Sequence, residues 1–179
     1  MHSFILSAIL GMAQSTSAPP PRLEGLAADI ELAVAMRAAG GDELPFHGPA
    51  AREASALALV AIAFGETGFR EMWIDCVEGG DNGRSVSAFQ LMRGAAWYGA
   101  ARHELCPTSP LAAYNALRVL TGYSERCSRS TPVGWFYGYA SGSCGKPSEA
   151  GREHCARWVR LTQKMGLVGA SCGRDVAIS

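Results

Sequence analysis

No two cysteines in this 179-residue chain stand two residues apart. The six cysteines, at 76, 106, 127, 144, 155 and 172, match no zinc-finger or ribbon spacing. The only histidines near them are His103 and His154, so the reading calls for no metal and no cofactor. Charge is also scarce, with 18% of residues charged and 16 of each sign. Zero net charge without a basic stripe argues against nucleic acid as a partner, and the lack of an acidic run argues against disorder. No apolar run reaches the roughly 20 residues that cross a bilayer, so no integral membrane segment is expected in the mature chain. No internal repeat is visible. Strand patterns are few, confined to short extended pieces near 72–77 and 84–86.

What is present is a globular composition, 48% hydrophobic, in a length that suits one domain with an N-terminal extension. An even number of scattered cysteines reads as three disulfides formed in an oxidising compartment. Six cysteines allow 15 connectivities, and proximity favours Cys76 with Cys106. The apolar run Phe4–Ala13, followed by small residues and Pro19-Pro20-Pro21, resembles a signal peptide whose usual Lys or Arg is replaced by His2 alone. Residues 1–22 are therefore expected to be a leader and a Pro-rich joint, residues 23–179 a monomeric domain, and the mature protein secreted or periplasmic.

The fold class reads as mainly α. Leu23, Leu26, Ile30, Val34 and Met36 set a helical period over 23–39, ended by Gly40-Gly41. Residues 50–66 are apolar almost all round beyond Ser55, as in a central helix packed on every side. Residues 67–84, rich in Gly, Asp and Asn, read as an irregular segment, and 87–104 as a third helix. Thr108 or Ser109 can cap a fourth helix that runs from Pro110 to about Leu120. The alternating aromatics and glycines of 132–141 make a poor helix. A last helix is expected over 148–165, capped by Ser148, with Trp158, Val159 and Leu161 facing inward.

Glu66 stands at the end of the central helix, after Ala56–Gly65. Burial and the negative end of the helix dipole both oppose its charged form. A carboxyl that keeps its proton near neutral pH suits general acid catalysis. Helix ends favour Lys, Arg or His, and a locally unfavourable residue often marks a functional site. Gln90, within Ala88–Met92, has an amide that can orient a water or a sugar N-acetyl group. Tyr137 and Tyr139 offer aromatic faces and hydroxyls to a saccharide, while Trp135 and Phe136 are expected in the core.

Three segments together resemble the lysozyme-like superfamily, in its soluble lytic transglycosylase and goose-type lysozyme branch. Glu66-Thr67-Gly68-Phe69 is similar to that family's Glu-Ser-x-Phe. Ser85-Val86-Ser87-Ala88-Phe89-Gln90 is similar to its Ser-x-Gly-Leu-Met/Phe-Gln, with Ser87 for Gly and Ala88 for Leu. Tyr139-Ala140-Ser141-Gly142 loosely follows its Tyr-Asn-Ala-Gly, so the resemblance covers about 50–145.

The resemblance implies a lysozyme-like helical domain with a small β element that binds peptidoglycan glycan strands, with Ser85, Ser87, Gln90, Tyr137 and Tyr139 as substrate-binding residues. It implies cleavage of the β-1,4 bond between N-acetylmuramic acid and N-acetylglucosamine, with Glu66 protonating the glycosidic oxygen. In the transglycosylase route the same Glu66 then acts as base. In the goose-type hydrolytic route a second carboxylate serves, and the candidates are Glu71, Asp75, Glu78 and, best placed, Asp81. A non-catalytic peptidoglycan- or chitin-binding secreted domain is the alternative outside enzymes.

Overall fold

The computed structural model describes residues 1–13, 18–77, 79–92, 102–127, 132–167 and 169–172, with backbone alone at positions 81, 83, 102 and 103. Its elements in order are α1 (His2–Met12), α2 (Pro20–Ala39), α3 (Ala51–Thr67), α4 (Glu71–Ile74), α5 (Gly80–Gly83), β1 (Ser85–Val86), β2 (Leu91–Met92), α6 (Arg102–Leu105), α7 (Pro110–Arg126), α8 (Pro132–Ser141) and α9 (Glu149–Lys164). The fold is mainly α, with one two-stranded antiparallel sheet pairing Ser85 with Met92 and Val86 with Leu91.

The central helix is the one its composition predicts. Every residue from Ser55 to Ala63 on α3 is buried, and the helix packs against α1, α2, α7 and α9. Ser55 satisfies its hydroxyl by donating to the Ala51 carbonyl at 2.6 Å, so this one polar residue adds no orphan group to the core. Phe46, from the loop before α3, stacks on Trp158 of α9 with centroids 4.6 Å apart and tilts against Trp135 of α8 at 5.3 Å. Trp158 in turn donates Nε1–H to the Ala54 carbonyl at 3.0 Å, locking α9 to α3.

The segment read as a leader forms α1, whose Ile5 and Ile9 are fully buried against α2 and α3. Helix α2 begins at Pro20 rather than 23, because a proline in the first turn lacks an N–H that would be unpaired there anyway. The fourth and last helices stand as expected, with Ser109 accepting from Ala112 N–H and Ser148 accepting from Gly151 N–H. The fourth, α7, runs two turns further than expected, to Arg126.

Three expectations fail. Residues 87–92, placed in a third helix, form a turn and β2, because Ser87 and Gln90 take left-handed φ values of 70° and 49° that a right-handed helix excludes. The rest of that expected helix lies outside the described residues, up to the short α6. Residues 132–141 are helical, as α8. Gly138 serves close packing: a Cβ there would lie 2.2 Å from the Tyr123 ring of α7. The piece near 72–77 is α4 and a turn, not a strand.

All six cysteines are paired, as Cys76–Cys106, Cys127–Cys144 and Cys155–Cys172, and the first is the pairing expected from proximity. Among the described residues no helix is long and apolar enough to cross a membrane.

Candidate active site

Helix α3 ends abruptly, and the residues after Glu66 explain how. Thr67 is buried, donates to the Ala63 carbonyl at 2.7 Å and accepts from Phe69 N–H at 3.2 Å. Gly68 takes the left-handed C-cap at φ 60°, and its N–H bonds the Phe64 carbonyl. Phe69, fully buried, meets Phe64 edge-on at 5.2 Å. This knot turns the chain away and leaves Glu66 on the last turn, 23% exposed, at the wall of a cleft of about 600 Å³.

The opposite wall is the segment from Gly80 to Met92, and Gln90 builds it. Its Oε1 accepts from Gly80 N–H at 3.1 Å and its Nε2 donates to the Ser87 carbonyl at 3.0 Å. One amide thus ties the start of α5 to the turn between β1 and β2. Any side chain at position 80 would collide with it, since a Cβ there would lie 2.5 Å from Oε1. Two anchors hold this wall to the helices. Tyr139 of α8 donates its hydroxyl to the Phe89 carbonyl at 2.8 Å. Thr108 accepts from Ala88 N–H at 2.9 Å while donating to the Ile74 carbonyl at 2.8 Å.

The expected site residues divide accordingly. Glu66, Ser85, Gln90 and Tyr139 line the cleft together. Ser87 lies beneath it, fully buried, its hydroxyl accepting from Phe89 N–H at 3.3 Å. Tyr137 is buried on the other side of α8, where a Cβ at Gly151 of α9 would come within 2.7 Å of its ring. Its aromatic character serves helix packing. Trp135 and Phe136 are core residues, as expected.

Among the second-carboxylate candidates, Asp75 is occupied by Arg22 at 2.8 Å, and Glu71 is an exposed residue in the first turn of α4. The backbone of Asp81 lies in α5, next to Gly80, which lines the cleft, but its side chain lies outside the described residues, as does Glu78. Among the described lining residues Glu66 is the one carboxylate. No three His, Cys, Asp or Glu side chains gather among the described residues.

Two lining or supporting residues escaped the sequence reading. Trp73 of α4 adds an indole to the cleft wall, with the Arg70 guanidinium 5.3 Å from its ring centre. Its Nε1–H is buried with no partner among the described residues. His154 of α9 places Nε2 2.8 Å from Glu66 Oε1 and is 1% exposed. A signal for it existed, since it stands four residues before Trp158 and so on the inward stripe of the last helix.

No protein-family model, curated protein or solved structure matches this chain.

Proposed function

We propose that the protein is a lytic transglycosylase that cleaves the β-1,4 bond between N-acetylmuramic acid and N-acetylglucosamine in peptidoglycan. The observation that carries this reading is the placement of Glu66, a lone carboxylate among the described residues of a cleft whose other walls combine the aromatic Trp73, Tyr123 and Tyr139 with apolar side chains and with the polar Ser85, Gln90 and Ser141. Sugar faces stack on aromatic rings, and hydroxyl and amide groups give polar handles. The three disulfides support an exported protein acting outside the reducing cytosol.

Glu66 first donates its proton to the glycosidic oxygen as the C1–O bond breaks and oxocarbenium character develops at the muramoyl C1. The resulting carboxylate then takes the proton of the muramoyl C6 hydroxyl, whose oxygen closes on C1 to form the 1,6-anhydro ring. Glu66 ends protonated, ready for another cycle, and no second carboxylate is required.

The test is digestion of purified peptidoglycan followed by mass spectrometry of the muropeptides. Anhydro products, each one water lighter than the hydrolytic ones, are expected from the parent. Glu66→Gln keeps the shape, removes the proton and is expected to abolish the loss of turbidity while folding normally. A Glu66→Gln variant that clears cell walls like the parent would overturn the mechanism. Hydrolytic products that vanish in Asp81→Asn would replace it with goose-type hydrolysis.

A further inference from the structure

Behind Glu66 lies a second layer that the transglycosylase reading does not use. The His154 ring is buried over Gly65, where a Cβ would lie 2.3 Å from Nδ1 and 2.4 Å from Cε1. Only glycine leaves room for the imidazole at that point on α3. The same Cβ would lie 2.7 Å from Arg157 Nη1, so the guanidinium also crowds this point on α3. Both His154 Nδ1 and Arg157 Nη1 are buried without a partner among the described residues. The guanidinium is itself held in place, with Nη2 paired to Glu153 Oε2 and Cζ 5.7 Å from the Phe64 ring centre.

This geometry decides the tautomer. A hydrogen on Nδ1 would be buried with no acceptor among the described residues, and the neighbouring guanidinium offers donors only. A buried donor left unmade costs about 1–3 kcal/mol. A bare Nδ1 avoids that cost, and the ring hydrogen then belongs on Nε2, 2.8 Å from Glu66 Oε1. We infer that His154 is a positioning residue for Glu66, held as the Nε2–H tautomer because only its Nε2 side meets an acceptor among the described residues, so that Oε1 is anchored and the working proton is confined to Oε2.

The consequence bears on a carboxyl that must serve as acid and then as base. The Nε2–H···Oε1 bond is compatible with both states of Glu66, since Oε1 accepts whether or not Oε2 carries a hydrogen. The carboxyl therefore passes its proton out and takes the next one in at the same oxygen, without rotating. Orientation held in this way is worth large factors in rate, because a displacement of about 1 Å at a reacting group costs on the order of 100-fold.

This inference rests on the proposed function for its kinetic arm, and a spectroscopic arm tests it separately. With soluble glycan strands as substrate, His154→Phe, which fills the volume without a donor, is expected to lower kcat about 10- to 100-fold with KM nearly unchanged. His154→Gln, whose amide nitrogen reaches the Nε2 position, is expected to recover most of that loss. In the parent, 15N spectra of the imidazole are expected to show a protonated Nε2 and a bare Nδ1, with the Nε2 signal shifting in Glu66→Gln. A His154→Phe variant with the parent's kcat, or a ring protonated at Nδ1, would overturn the assignment. An inactive parent that still shows the Nε2–H signature and its response to Glu66→Gln would overturn the peptidoglycan reading while supporting the pair.

Discussion

At the scale of single residues, the cleft depends on backbone conformations that its side chains do not favour. Ser87 at φ 70° stands where the resembled motif carries glycine, and left-handed backbone costs an ordinary residue on the order of 1–3 kcal/mol. Its hydroxyl recovers part of that through the Phe89 N–H bond. Ser87→Gly is therefore expected to raise stability by up to about 1 kcal/mol, where glycine at an ordinary position lowers it. Ser87→Val, with a branched Cβ, should lower stability by about 2 kcal/mol. Urea unfolding of both variants measures this, and a destabilised Ser87→Gly would contradict it. The position of Glu66 was legible because an acid closing an apolar helix breaks a local rule. The role of Gln90 was not, because a residue type does not disclose that both ends of its amide will be bound to backbone 3 and 10 residues away.

At the scale of elements, the helices with one-sided or all-round apolar patterns were readable, and the segments between them were not. Helix α3 announced itself by its composition, and α9 by its capping serine and inward stripe. Helix α8 was misread because glycine and aromatic residues were weighed as propensities, whereas the Tyr123 ring packed at Gly138 decides the matter. The turn at 87–90 was misread for the converse reason, since a helical pattern is overruled where backbone sites demand positive φ. Helix α2 carries a testable liability. Burial pushes the Asp29 carboxyl up from 3.8 to about 6. The folded protein thus holds this proton more tightly than the unfolded chain. The resulting penalty is absent below about pH 4, grows between pH 4 and 6, and is complete above 6. Asp29→Asn is expected to stabilise the protein above pH 6 by about 1 kcal/mol, allowing for screening at this half-buried site, with the gain fading toward pH 4. Thermal melts of parent and variant at the two pH values would show it. A gain that grew on acidification would refute the assignment.

At the scale of the whole molecule, three disulfides divide the work of holding the fold. Cys76–Cys106 spans 30 residues and encloses the entire far wall of the cleft, from Gly80 to Met92. Closing a loop of that size stabilises by about 3–4 kcal/mol in chain-entropy terms. The double variant Cys76→Ser, Cys106→Ser is expected to lose about 2–4 kcal/mol in urea unfolding and to lose the proposed glycan cleavage at temperatures where far-ultraviolet circular dichroism still reports the helices. Thiol titration of the denatured parent should find no free thiol before reduction and six after it. Free thiols before reduction would contradict the paired state. Cysteine number and scatter announced this framework, but spacing along the chain could not choose among the 15 connectivities, because partners 17 and 30 residues apart are brought together only by the packing of the helices.

One contact also sets a timetable for the molecule. Glu66 and the imidazole that meets it are separated by 88 residues, and the imidazole lies on the last helix of the described chain. During synthesis the acid emerges first and waits without its hydrogen-bond partner, while Trp158, which closes the Ala54 carbonyl, is also still to come. Glu66 gains its buried imidazole only after α9 has been made and has docked, so chains cut short before α9 carry the acid without the group that aims it.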